Sequence, residues 1–195
     1  MNLPQPTAPE PTGAPRPIVV YATMFGATEL VAEQVAAALG RELGVEVPCR
    51  DLAWLEPSAL AGFDLIVLGC PTWNIGQLPS HLEARLPELA ALDLVGTRLA
   101  LFGTGDAVGY PDTYLDALDI VAEALLPTGA EPIGRWPTAG YAFLASRAQR
   151  GDEFLGLGVD EDNEPERTAE RVAAWAAKVA AEYRARAARA ALQPA

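Results

Sequence analysis

The stretch Asp64-Leu-Ile-Val-Leu-Gly69, running directly into Cys70-Pro-Thr-Trp-Asn-Ile-Gly76, decides the fold. Leu65 to Leu68 are apolar without alternation, as in a strand buried on both faces, and a parallel sheet covered by helices requires such strands. The polar segment that follows holds a glycine and one large aromatic, Trp73. The same succession recurs on either side. Upstream, Pro17–Ala22 leads into Thr23-Met-Phe-Gly-Ala-Thr28. Downstream, Arg98–Phe102 leads into Gly103-Thr-Gly-Asp-Ala-Val-Gly-Tyr110. Further candidate strands are Val45–Arg50, Glu131–Arg135 and the short Phe154–Val159.

Helical patterns separate these runs. Glu29–Leu43 places Leu30, Val31, Val35 and Leu39 on one face and stops at Gly44, a natural residue just past a helix end. A helix starting at Ser80, with Glu83 completing a capping box, carries Leu82, Leu86 and Leu89. Thr113–Leu126 is closed by Pro127 and Gly129, and Val172, Trp175, Ala176 and Val179 mark a last helix. Repeated strand–helix alternation predicts a doubly wound α/β domain with a five-stranded parallel sheet in three layers. The domain is expected over 17–183. Residues 136–153 form an excursion that leaves the fifth strand and returns to it. Residues 1–16, rich in Pro and Thr, are expected to be a disordered leader, and 184–195 a basic Ala/Arg tail that frays.

The 195 residues carry 26 acidic and 14 basic side chains, a net charge of −12. That field repels phosphate backbones and anionic lipid heads, which argues against nucleic acid and membrane partners and for basic protein surfaces. Cys49 and Cys70 form no zinc or redox spacing, which suits two reduced thiols in a cytoplasmic protein. No signal sequence and no apolar run of about 20 residues is found. His81 is the only histidine, so a Ser-His-Asp or Cys-His apparatus has no support. Asp160-Glu-Asp-Asn-Glu-Pro165 lacks the glycine a calcium loop needs at its sixth position, so no metal site is expected; it reads as the approach to a helix.

In an open parallel sheet, ligands bind outside the carboxyl ends of the strands. Three loops fall there. Thr23–Thr28 enters a helix whose free N–H groups favour an anion, with Gly26 allowing close approach and Thr23 and Thr28 adding hydroxyls. Trp73 and Tyr110, from two different strand ends, can sandwich a planar ring. Asp106 can accept from a ring imide N–H. The stretch GTGDAVG has the wrong glycine spacing, and the wrong place in the chain, for a nicotinamide fingerprint. The ligand these loops suit is flat, aromatic and phosphate-bearing: flavin mononucleotide (FMN).

The motifs PTWNIG, FGTGDAVGY, WPTAGY and GLGVDEDN, in this order and spacing between Ile18 and Val179, resemble a flavodoxin of the long-chain type. The resemblance implies the strand order 2-1-3-4-5 and makes the 136–153 excursion the long-chain insertion. It implies that Thr23, Met24, Phe25, Gly26, Ala27 and Thr28 hold the FMN phosphate, with Pro71 and Thr72 close to the phosphate and ribityl chain. By the same resemblance Trp73 and Tyr110 flank the isoalloxazine, the backbone around Asn74 and Ile75 faces flavin N5, and Gly76 nearby eases the rearrangement of that backbone. Gly103, Thr104, Gly105 and Asp106 would meet the pyrimidine edge. Two positions depart from the family: Phe25 replaces a second hydroxyl residue in the phosphate loop, and Ala107 replaces a frequent glutamine.

The function so implied is a low-potential one-electron carrier, not an enzyme. It would be a monomer that shuttles electrons from a flavodoxin reductase to acceptor redox enzymes through an exposed flavin edge rimmed by acids such as Asp112 and Asp116. The alternatives are an FMN-dependent NAD(P)H oxidoreductase of the quinone reductase type, a receiver-like signalling module, and a flavin-free interaction module on the same fold. The Trp73–Tyr110 cover opposes the first. Cys70-Pro71, standing where a receiver needs an aspartate, opposes the second.

Overall fold

A computed structural model describes residues 14–191, with side chains to Arg186. In chain order it contains β1 (Pro17–Tyr21), α1 (Ala27–Leu43), β2 (Cys49–Asp51), β3 (Leu65–Pro71), α2 (Ser80–Ala90), β4 (Arg98–Thr104) and α3 (Asp116–Leu125). Then follow β5 (Glu131–Ile133), β6 (Trp136–Pro137), β7 (Gln149–Arg150), β8 (Glu153–Phe154), β9 (Leu157–Val159) and α4 (Pro165–Ala191). The main sheet is parallel with the order β2-β1-β3-β4-β5, as the resemblance implies.

The burial of β1 and β3 explains their composition. Ile18, Val20, Ile66 and Leu68 point into one core, which α2 and α3 close with Leu82, Leu89, Leu118 and Val121. Val19, Tyr21, Leu65 and Val67 point the other way, into a core closed by Val31, Val35 and Leu39 of α1 and Val172, Trp175 and Val179 of α4. Side chains alternate across a strand, so an all-apolar run supplies both layers at once. Trp175 is fully buried, sets its ring edge-on to Phe102 at 6.3 Å and donates its Nε1–H to the Gly134 carbonyl at 2.6 Å.

The fifth strand is split along one edge of β4. Its first half, β5, pairs Glu131 with Arg98 and Ile133 with Ala100; its second, β9, pairs Leu157 with Phe102 and Val159 with Thr104. Between them the chain makes a small antiparallel sheet, β6-β8-β7. This excursion is fastened to α3: the Arg147 N–H donates to Asp116 Oδ1 at 2.7 Å, and Arg147 and Arg150 both pair with Asp119. The chain re-enters the sheet at Gly156, where a Cβ would stand 1.9 Å from the Leu101 carbonyl oxygen. No other residue fits so close to backbone.

Several boundaries differ from expectation. Val45–Arg50 pairs only from Cys49 onward, because Pro48 has no N–H and contributes to the ladder only through its carbonyl, which accepts from Val19. The Ser80–Glu83 capping box does not form. Pro79 takes the cap position with no side-chain cap, and the Glu83 N–H donates to the Pro79 carbonyl. The helix expected from Thr113 starts at Asp116, because Leu115 sits in the left-handed region at φ 61°. A 3₁₀ helix over Pro57–Gly62, absent from the sequence reading, joins β2 to β3. The leader expected over 1–16 lies outside the described residues except for 14–16, and the tail is described only as far as Ala191, where it continues α4.

Candidate functional site

The carboxyl ends of β1, β3 and β4 open on one cleft. It is lined by Thr23, Met24, Phe25, Ala27 and Thr28, by Pro71, Thr72, Trp73 and Asn74, and by Thr104, Gly105, Asp106 and Tyr110. Thirteen of the expected site residues therefore converge there. Four do not line it. Gly26 shapes the loop as the cap of α1 at φ 93°, and Gly103 is packed inside β4 against Leu115 and Leu118. Ile75 points outward, 75% exposed, and Gly76 is buried against Asp116.

At one end the cleft presents backbone donors. Gly26 caps α1 without a side-chain bond, and among the described residues no acceptor meets the N–H groups of Ala27 and Thr28. With the helix dipole behind them, these amides make an anion cradle. Thr23 holds the turn by accepting from the Gly26 N–H at 2.9 Å. Thr28 is buried, and its hydroxyl meets that of Thr104 at 2.9 Å, tying the cradle to the end of β4. Phe25 adds no donor: it is 85% exposed, with its ring 5.5 Å from that of Trp73.

Beside the cradle stand the aromatics. Trp73 is half-buried in a tight loop closed by reciprocal backbone bonds with Gln77 at 2.7 and 2.8 Å. Asn74 adopts φ 45° there, a conformation uncommon outside glycine that stores backbone strain. Tyr110 lines the same cleft, 49% exposed. Thr72 binds this loop to β4 through its N–H on the Thr104 carbonyl. Cys70 beneath it is fully buried, and burial pushes its thiol up to about 12, so it is inert.

Asp106, expected to accept from a ring N–H, lines the cleft and engages one of its oxygens within its own surroundings. Its Oδ1 already accepts from Val108 N at 3.0 Å, Gly109 N at 2.6 Å and Asn163 Nδ2 at 2.8 Å. The Gly109 amide, together with Asn163 and Val108, holds its pKa below the ordinary carboxylate value, against a smaller opposing effect of burial. The carboxylate braces its own loop. Asp116 departs from the expected acidic rim. It is 5% exposed, packed on Gly76 and bonded to Arg147, so it cannot rim a solvent-facing edge, whereas Asp112 is exposed.

Sequence reasoning missed Thr113, Tyr114, Glu161 and Asp162, which also line the cleft. Tyr114 is buried with no partner for its hydroxyl among the described residues, in an aromatic cluster with Tyr141, Phe143 and Phe154 from the excursion. Glu161 and Asp162 come from the segment read only as a helix approach. The signal available was its place after a strand of the main sheet.

The family model described as Flavodoxin matches residues 19–175. A flavodoxin of Picosynechococcus sp. is 43% identical over 159 residues, covering 82% of this chain and 92% of that protein. Flavodoxin 1 of Escherichia coli K12 is 36% identical over 167 residues, covering 85% and 95%. Among solved structures, Fusobacterium nucleatum flavodoxin bound to flavin mononucleotide is similar with a TM-score of 0.79 at 20% identity, over 86% of this chain and 98% of that one.

Proposed function

The chain belongs to the flavodoxin family and is an electron carrier that works with FMN, and on that premise we propose that its FMN occupies the cleft at the carboxyl ends of β1, β3 and β4. One observation carries this placement. Unpartnered amides at the start of α1 and two aromatics from separate strand ends, Trp73 and Tyr110, open on the same space. A phosphate and a flat ring need that combination. The residues present fit the group, with one donor fewer at Phe25.

Ala27 and Thr28 N–H, with the Thr23 hydroxyl, take the phosphate. Thr72 lies along the chain between phosphate and ring. Trp73 and Tyr110 cover the ring's two faces and keep water off them. Gly105 and Asp106 stand at its edge. FMN supplies the one- and two-electron chemistry; the protein supplies surroundings that set its potential. Asp106, Glu161 and Asp162 place negative charge around the cleft, and the aromatic faces exclude water, so electron uptake that adds negative charge is disfavoured. Each 1.4 kcal/mol of such bias moves a one-electron potential by about 59 mV. As an electron-transfer protein it needs no side chain to act as acid, base or nucleophile.

Its partners are redox proteins. The segments 22–28, 52–64, 72–79, 105–115 and 160–164, which follow β1, β2, β3, β4 and β9, contain no Lys or Arg, whereas the excursion after β5 carries Arg135, Arg147 and Arg150. Those segments expose Phe25, Trp54, Ile75, Val108 and Tyr110. Partners with basic surfaces around an apolar contact suit that edge. Among the described residues no helix is long and apolar enough to cross a membrane. Two free thiols suit a reducing compartment, and we place the carrier in the cytoplasm as a monomer.

The test is stepwise anaerobic reduction of the purified protein, followed by its visible spectrum. Yellow protein with one FMN per chain, reduced in two separated one-electron steps, is expected. A chain that stays colourless after incubation with FMN overturns the proposal. In the same assay Trp73→Ala and Tyr110→Ala should each weaken FMN binding.

A further inference from the structure

We propose that Asn163 and Asp160, which no loop-based reading of the cleft includes, are positioning residues that lock the loop 105–110 against the start of α4. The inference rests on the reading that this loop meets the flavin ring.

Three successive contacts zip the loop to the segment leaving β9. The Gly105 N–H donates to the Val159 carbonyl at 3.0 Å. The Ala107 N–H donates to Asp160 Oδ2 at 2.9 Å, in a buried position. Asn163 Nδ2 donates to Asp106 Oδ1 at 2.8 Å and lies 2.9 Å from both Asp160 oxygens. The Asp160 carboxylate is 2% exposed, and its Oδ1 also accepts the Asn163 backbone N–H at 3.0 Å. One side-chain amide thus stands between two carboxylates, and each of its two hydrogens serves one of them.

The chemistry makes the amide specific. Asp106 and Asp160 are like charges within reach of one nitrogen, and Asn163 is their common donor. Glu161, Asp162 and Glu164 add negative charge nearby, and the cations of this helix start, Arg167 and Arg171, are both engaged with Glu164, at 3.3 and 2.7 Å. Without Asn163, the two carboxylates face each other across the loop with no donor between them. The loop relaxes outward by releasing Asp106, and the N–H bonds from Val108 and Gly109 are strained with it. An alanine takes the donor away. An aspartate replaces it with a third negative acceptor.

The test uses full-length apoprotein with Asn163→Ala, Asn163→Asp and, as a control on the same helix start, the exposed Glu166→Ala. FMN, riboflavin and inorganic phosphate are titrated separately, and amide hydrogen exchange is followed at Ala107, Val108 and Gly109. Asn163→Ala should weaken FMN and riboflavin by the same factor, about tenfold, the scale of one lost hydrogen bond to a charged group. Phosphate affinity should stay within twofold, Asn163→Asp should lose more, and Glu166→Ala should match wild type. Exchange at the three amides should accelerate by about tenfold in Asn163→Ala. FMN affinity within twofold of wild type, or an equal loss for phosphate, overturns the lock. Accelerated exchange in a protein whose wild-type form binds no FMN instead keeps the lock and defeats the placement of the ring.

Discussion

The ring of Phe25 lies 5.5 Å from that of Trp73 at an interplanar angle of 56°, while Phe25 itself is 85% exposed. An exposed aromatic held by another aromatic contributes little to folding. By the family resemblance, it stands where the proposed phosphate loop would carry a second hydroxyl residue. Phe25→Thr should therefore strengthen FMN binding by about tenfold, through one added hydrogen bond to a charged group, at almost no cost in stability. Fluorescence titration of the apoprotein reads this; an unchanged or weaker affinity would show that the Phe25–Trp73 contact matters more than the missing donor.

Two buried or bonded aspartates should respond to pH with opposite sign. Asp106 has its pKa lowered, first by the Gly109 amide, so its ionised form stabilises the folded loop at neutral pH, and that contribution disappears as pH falls below the ordinary value of about 3.9 and through the lower folded value. Asp116 has its pKa raised, chiefly by burial, with the Arg147 amide and guanidinium opposing. Its ionisation works against folding, from nothing below the ordinary value to its full extent above the folded one. Asp116→Asn keeps the acceptor for Arg147 and removes the charge. It should raise the thermal midpoint by a few degrees at pH 7, and the gain should shrink toward zero as pH is lowered to about 4. Asp106→Asn should lower it or leave it unchanged at pH 7.

Gly156→Ala should cost about 3 kcal/mol or more. Its Cβ would stand 1.9 Å from the Leu101 carbonyl, and backbone on both sides cannot yield as a side-chain tip can. The loss should appear in urea unfolding of the apoprotein and in weaker FMN binding, since β9 leads into the segment that braces the cleft. Gly151→Ala offers the contrast: its φ is +68° but the space is open, so about 1 kcal/mol is expected.

The absence of Lys and Arg from the segments that line the cleft should make electron transfer depend on salt. In stopped-flow experiments with a basic redox partner, raising ionic strength from about 10 mM to 150 mM shortens the screening length from about 30 to 8 Å and should slow transfer by about tenfold or more. A rate independent of salt would remove charge from the docking reaction and leave the exposed apolar side chains to account for it.

Periodicity established the layers of the fold, while the strand order came from the family resemblance. The runs at Ile18–Tyr21 and Leu65–Leu68 have no polar face, and a chain with such strands must cover them with helices on both sides. The loops that follow them had to fall together at one edge, so Thr23, Trp73, Thr104 and Tyr110 could be brought to one cleft from sequence. The cap of α2 and the start of α3 were illegible, because the Pro79 carbonyl and the left-handed Leu115 are local backbone choices that several residue patterns permit. Tertiary structure decided which carboxylates face water and which face a partner. Asp116 looks like any surface aspartate until the excursion returns and covers it, and Asp160 and Asn163 become part of the cleft's support only because β9 pairs with the end of β4. Contacts within a strand or helix recur at short, fixed spacing and are written in its pattern. Those between residues 53 or 57 positions apart, as Ala107–Asp160 and Asp106–Asn163 are, depend on how the whole chain is wound.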